Sequence, residues 1–120
     1  MENKIEYKIL DDKIIICFYG ELSSSNVSKY RNLINNILDK SRGVVYFDFL
    51  HTSFIDSSGI GLVLGRYNHL KNENRKLVLA NLSKTAYKVF ELSMFADGIC
   101  EGKRIMNQME LSLVQKENES

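Results

Sequence analysis

Residues 44–67 read Val-Val-Tyr-Phe-Asp-Phe-Leu-His-Thr-Ser-Phe-Ile-Asp-Ser-Ser-Gly-Ile-Gly-Leu-Val-Leu-Gly-Arg-Tyr. The stretch opens with a continuous run of β-branched and aromatic residues up to Phe49, the pattern of a strand covered on both faces. It closes with Leu62, Val63 and Tyr67, joined by Leu70, at the spacing of a helix with one apolar side. Between the two, Asp56-Ser57-Ser58-Gly59 supplies capping and turn chemistry at a strand-to-helix transition. A buried strand that feeds directly into a helix is the unit from which largely parallel sheets with crossover connections are built.

The same alternation extends in both directions. Upstream, Ile5, Tyr7 and Ile9 alternate with charged residues, Asp11-Asp12 reads as a hairpin turn, and residues 14–19 form a second covered strand that Gly20 ends. Ser23-Ser24-Ser25 offers N-caps, with Ser24 central, for a helix whose apolar stripe is Val27, Tyr30, Ile34, Ile37 and Leu38. Ser41-Arg42-Gly43 is a turn. Downstream, Asn72-Glu73-Asn74 ends the second helix and residues 76–80 make a short strand. Ser83 caps a third helix bearing Ala86, Tyr87, Val89, Phe90 and Phe95. Ile99-Cys100 reads as a weak strand, and residues 103–114 as a last helix using Ile105, Met106, Met109 and Leu113. Residues 115–120 are polar and expected to fray. The expected fold class is α/β. It is one domain over residues 1–120, a mixed sheet of four to five strands with about four helices and an N-terminal antiparallel hairpin.

Composition narrows the function. The 120 residues contain no proline and no tryptophan, where ordinary usage would give roughly six prolines. Collagen-like repeats, polyproline segments and cis-proline turns are therefore absent. Sixteen Lys and Arg against fifteen Asp and Glu leave a net charge of +1, without the basic stripe of a DNA-binding module or a polybasic membrane anchor. Lys71, Arg75, Lys76, Lys103 and Arg104 read as solvated surface. Cys17 lies in an apolar run, and with Cys100 far from it in the sequence no disulfide framework is implied. There is neither an apolar window long enough for a membrane span nor a secretory signal, so a cytoplasmic protein is expected.

Binding sites of open α/β sheets lie where strands run into helices. Two such loops stand out, residues 20–25 after the strand ending at Tyr19 and residues 56–61 after the strand ending near Phe49. In the second, a hydroxyl sits at a helix start, where free amide donors favour an anion. Ser57 or Ser58 can serve simply as the N-cap there. Gly59 and Gly61 let another backbone approach closely. Residues 59–65 imitate a dinucleotide fingerprint, but the third glycine is one residue late and Asn81 stands where the acidic residue is wanted. His51, Asp56 and Ser57 are the residue types of a hydrolase triad, yet no Gly-x-Ser-x-Gly elbow exists. With two histidines and no Cys/His cluster, no metal or other cofactor is expected.

The segment Phe54-Ile-Asp-Ser-Ser-Gly-Ile-Gly-Leu-Val-Leu-Gly-Arg-Tyr67 resembles the signature of the STAS family of anti-sigma-factor antagonists. Weaker likenesses lie in Gly20-Glu21-Leu22, in residues 83–90 and in Leu92-Ser93, so the resemblance spans about residues 5–114. The continuation Leu64-Gly65-Arg66-Tyr67 is closer to the sporulation branch, which frees a forespore sigma factor, than to the general-stress branch.

The resemblance implies a non-enzymatic regulator and makes Ser57 the phosphoacceptor. Asp56, Ser58 and Gly59 would support the phospho-loop, and Ser23, Ser24, Ile60, Gly61 and Arg66 would meet the partner. That partner is an anti-sigma factor that is itself a GHKL-type serine kinase, and a PP2C-type phosphatase would reset the switch. The chain departs from the family where an aspartate usually follows Gly-Glu-Leu, since Ser23 stands there. It departs again where proline often opens the third helix and Ser83-Lys84 stands instead. A STAS scaffold in another signalling or transport complex is the alternative that Ser23 raises.

Overall fold

A computed structural model describes residues 2–94 and 105–106. The elements, in order, are β1 (Lys4–Leu10), β2 (Lys13–Leu22), α1 (Val27–Leu38), β3 (Val45–Asp48), β4 (Thr52–Ile55), α2 (Ser57–Asn72), β5 (Leu77–Ala80), α3 (Lys84–Met94) and β6 (Ile105–Met106). The sheet runs β1-β2-β3-β5-β6, with β4 off this path against β2. Among the described residues only the β1–β2 pair is antiparallel, hinged on a turn where Asp11 takes φ 57°. The β2–β3, β2–β4, β3–β5 and β5–β6 pairs are parallel. The mixed sheet and the N-terminal hairpin are those expected, and three helices lie among the described residues.

Alternation along the strands sorts the core. Ile14, Ile16, Phe18, Val45, Phe47, Leu77 and Leu79 face the three helices, together with Tyr30, Ile34, Leu62, Val63, Leu70 and Phe90. Ile15, Tyr46, Val78 and Ala80 form a smaller buried cluster of their own. The ring of Phe18 lies at the centre of the larger cluster, stacked on Phe49 at 5.3 Å and edge-on to Phe47 at 5.2 Å. Phe49 reaches Phe90 of α3 at 6.2 Å, which ties the third helix to the same aromatic centre.

Several local expectations are corrected. Gly20 does not end β2. With φ 78° it bends the strand at a register shift, so that β2 leaves β3 and pairs with β4 beyond it. A side chain there would strike Asn3, whose Oδ1 accepts from the Glu21 amide at 2.8 Å. β4 was not expected, because its four residues include Thr52 and Ser53. The Thr52 hydroxyl donates to the Phe18 carbonyl at 2.9 Å and helps anchor this short strand. The loop holding Ser57 therefore follows β4, not β3.

At the start of α1 the N-cap position falls on Asn26, and no side chain caps the helix. The Asn26 side chain instead serves the preceding loop, accepting from the Ser23 amide at 3.1 Å and donating to the Glu21 carbonyl at 2.8 Å. Ser83 does cap α3, accepting from the Ala86 amide at 3.1 Å. Ile105-Met106, expected in a helix, pairs with β5 as an outer strand. Phe95, the strand expected at Ile99-Cys100 and the remainder of the last helix lie outside the described residues.

Arg75 is buried at 8% exposure, not solvated. Its guanidinium donates to the Leu38 carbonyl at 2.9 Å and to the Gly43 carbonyl at 3.1 Å, capping the C-terminus of α1. Glu73 lies 3.7 Å from it and completes the charge pairing.

Candidate functional site

The two loops singled out in the sequence meet at one edge of the sheet. β2, bent at Gly20, carries Leu22 alongside Ile55 of β4, and the Asp56 amide donates to the Leu22 carbonyl at 3.3 Å. Asp56 is the N-cap of α2, and one carboxylate oxygen accepts from the Gly59 amide at 3.0 Å. The other accepts from the Ser24 amide at 3.1 Å. One carboxylate thus ties both loops together. These bonds, that from Gly59 foremost, hold the Asp56 carboxyl below the usual carboxylate range.

Because Asp56 caps the helix, neither Ser57 nor Ser58 is needed for it. Ser57 is the first residue of α2 and is exposed, and Ser58 is half-buried. The first turn of α2 contains no acidic residue, so an anion on Ser57 would face the positive end of the helix. Gly59 is buried against the chain itself: a Cβ there would collide with the Leu22 carbonyl oxygen. The close approach expected of this glycine is internal. Gly61 faces open space, with nothing within 4 Å of where its Cβ would stand.

Ser23 is 6% exposed, and its hydroxyl lies 2.9 Å from that of Ser25 and 3.5 Å from a Glu21 carboxylate oxygen. Ser24 is exposed and forms the border with Asp56. Ile60 helps line an adjoining groove of about 360 Å³ between β4 and α3, with Phe54, Ile55, Ala86, Val89 and Phe90. Phe54 is 53% exposed at its rim, an apolar side chain that folding leaves in water. Sequence periodicity could not find this groove, since Phe54 sits in the strand that was missed. Arg66 lies well along α2, where its guanidinium donates to the Asn35 side-chain oxygen of α1.

The lookalike chemistries find no geometry. The ring of His51 stacks on Tyr19 at 4.8 Å, on the turn before β4, away from any triad arrangement with Ser57. Asn81 donates to the buried carboxylate of Asp48 at 2.8 Å. Among the described residues no three His, Cys, Asp or Glu side chains gather in a way that could hold a metal ion.

Residues 4–112 match the STAS domain. The chain belongs to this family. An anti-sigma-B factor antagonist of Listeria monocytogenes is 30% identical over 110 residues, covering 91% of this chain and 96% of that protein. An anti-sigma F factor antagonist of Lysinibacillus sphaericus is 35% identical over 83 residues, covering 68% and 71%. The solved structure of the Bacillus cell fate determinant SpoIIAA in its phosphorylated form superposes with a TM-score of 0.73. It is 30% identical and covers 94% of this STAS chain and 98% of its own. The α/β fold with its N-terminal hairpin is thus that of the STAS domain, and the signature that suggested it, residues 54–67, builds the β4–α2 junction.

Proposed function

We propose that this STAS protein is an anti-sigma factor antagonist, a regulator without catalysis of its own. Its unphosphorylated form binds an anti-sigma serine kinase of the GHKL type in the cytoplasm and so releases a sigma factor. The kinase transfers the γ-phosphoryl group of ATP to the Ser57 hydroxyl, leaving ADP and the serine proton, and the phosphoserine ends the binding. A PP2C-type phosphatase hydrolyses it and resets the switch. The kinship to antagonists of both sigma B and sigma F supports the class, and Leu64-Gly65-Arg66-Tyr67 favours the sporulation branch.

One observation carries the reading: Ser57 is exposed at the first turn of α2 while Asp56 alone caps the helix. The hydroxyl is thereby available for chemistry that leaves the fold intact. Ser24, Ile60 and Gly61, with Phe54 and Val89 of the adjoining groove, would make the docking face, and Ser23 would act from beneath by shaping the loop. Phosphate adds roughly −1.5 to −2 charges at neutral pH. It would stand beside Asp56, in the middle of that face, where a partner must approach. Losing about 3 kcal/mol of binding lowers affinity by roughly a hundredfold, enough for a switch without conformational change.

Incubation with the kinase and ATP, followed by mass-spectrometric mapping, tests the site. Label on Ser57, and none on Ser57→Ala, is expected; label elsewhere, or normal labelling of Ser57→Ala, would overturn it. Ser23 in the place of the family aspartate favours a second reading, a STAS scaffold in another signalling or transport complex. Affinity capture from the native cell that recovers no GHKL-type kinase would favour that reading.

A further inference from the structure

α1 and α2 lie side by side, and neither contains an aspartate or a glutamate. Chance does not readily explain this in a chain with fifteen acidic residues among 120. Basic groups are present on the flank they share. Arg31 and Asn35 stand one turn apart on α1, hence on one face. Arg66 of α2 donates to Asn35, which places it beside the face of α1 that carries Arg31. Arg31 is near enough to disfavour charge on Arg66, after burial, which is the larger cause. Among the described residues neither arginine has a carboxylate within 4 Å, and Arg66 Nε is buried without a partner. Asp39 and Glu73, the carboxylates at the C-termini of these helices, are engaged elsewhere: Asp39 acts on Arg75, and Glu73 pairs with Arg42, His69 and Arg75.

Two like charges held near each other without a counter-ion cost stability, and the fold's visible gain is limited to the Arg66–Asn35 bond. A phosphate on Ser57 cannot be the missing anion, because Arg66 lies two and a half helical turns away, about 14 Å along the axis. We propose that the Arg31–Asn35–Arg66 cluster on α1 and α2 is a second interaction surface, which receives a carboxylate-bearing protein segment by the paired donors of its guanidiniums. Arginine matches carboxylate geometry with two parallel N–H donors. The patch is two arginines wide in a protein of net charge +1. DNA would call for a long basic stripe and an anionic membrane for four to eight clustered cations, so an acidic protein segment fits better. This surface takes Arg66 away from the Ser57 face, where the family resemblance placed it, and does not depend on phosphorylation.

The test is an amide NMR titration of the full chain with a deca-glutamate peptide, repeated with a short DNA duplex and with phosphatidylserine-containing vesicles. Saturable shifts confined to the α1–α2 flank are expected with the peptide, weakening as salt rises from about 0.05 to 0.3 M. Arg31→Gln should lower the peptide affinity by roughly fivefold or more, while Lys88→Gln on α3 leaves it unchanged. Arg31 is exposed, so its variant keeps the fold, and an unchanged thermal melt would verify this even where Arg66→Gln is unstable. Shifts spread over the whole surface, equal affinity of Arg31→Gln and the parent, or tighter binding of the duplex or the vesicles would each overturn the proposal.

Discussion

At the scale of single residues, Asp56 connects the two loops of the site, and its titration is a handle on them. Its carboxyl is held below the ordinary value of 3.8 by the amides of Gly59 and then Ser24. A depressed carboxylate contributes stability that is fully present above its unfolded pKa and is lost as pH falls through the folded one. The contribution of Asp56 is therefore whole at neutral pH and fades below about 3.8, toward its own lower value. Asn at this position still caps a helix but has no proton to gain. Urea midpoints of the parent and of Asp56→Asn, measured from neutral pH downward, should keep a constant gap until that window and then converge. A gap that never changes would contradict the assignment.

Arg75 makes a second residue-scale prediction. Its buried guanidinium holds the Leu38 and Gly43 carbonyls, so Arg75→Ala should cost about 2–3 kcal/mol in equilibrium denaturation. A loss within about 0.5 kcal/mol would show it to be ordinary surface after all. Its charge made it look solvated in the sequence. Only the meeting of the α1 C-terminus with the start of β5 reveals otherwise, and local pattern cannot report such a meeting.

At the scale of elements, the glycines of α2 divide into two kinds. Gly59 is packed on the Leu22 carbonyl, whereas Gly65 has nothing within 4 Å of its missing Cβ. Gly59→Ala should therefore destabilise the protein by about 1–3 kcal/mol, by forcing the helix off β2. Gly65→Ala should stabilise it by about 0.5–1 kcal/mol, through helix propensity alone. Thermal melts of the two variants should shift in opposite directions, and shifts of the same sign would refute this division. Elements with strong periodicity were legible from sequence, as the stripe of α1 illustrates: Val27, Tyr30, Ile34, Ile37 and Leu38 are its buried residues. β4 was not legible, because Thr52 and Ser53 look like loop and owe their strand conformation to β2 across the bend at Gly20. The pairing of Ile105-Met106 with β5 is likewise tertiary, since nothing in two residues separates strand from helix.

At the scale of the whole molecule, the parallel connections bring Ser24 and Asp56, 32 residues apart in sequence, together at one edge of the sheet. The loops were legible as strand-to-helix junctions, and the residue types at 56–59 marked the second of them. Which residue caps and which is left exposed was not legible, because aspartate and serine compete for the same donors and only the packing of Gly59 on Leu22 sets the geometry. A charge at Ser57 should leave the fold alone, since the hydroxyl supports no structural contact that Asp56 does not already supply. Ser57→Asp should therefore keep its circular dichroism spectrum, with stability within about 0.5 kcal/mol of the parent. A larger loss would mean that the serine is structural.

The most direct test of the account is the affinity of an anti-sigma serine kinase for the parent chain, Ser57→Ala and Ser57→Asp, measured by calorimetry under one set of conditions. The account predicts that the parent and Ser57→Ala bind alike and that Ser57→Asp binds on the order of a hundredfold more weakly. Equal affinity of all three, or loss of binding in Ser57→Ala as severe as in Ser57→Asp, would contradict it.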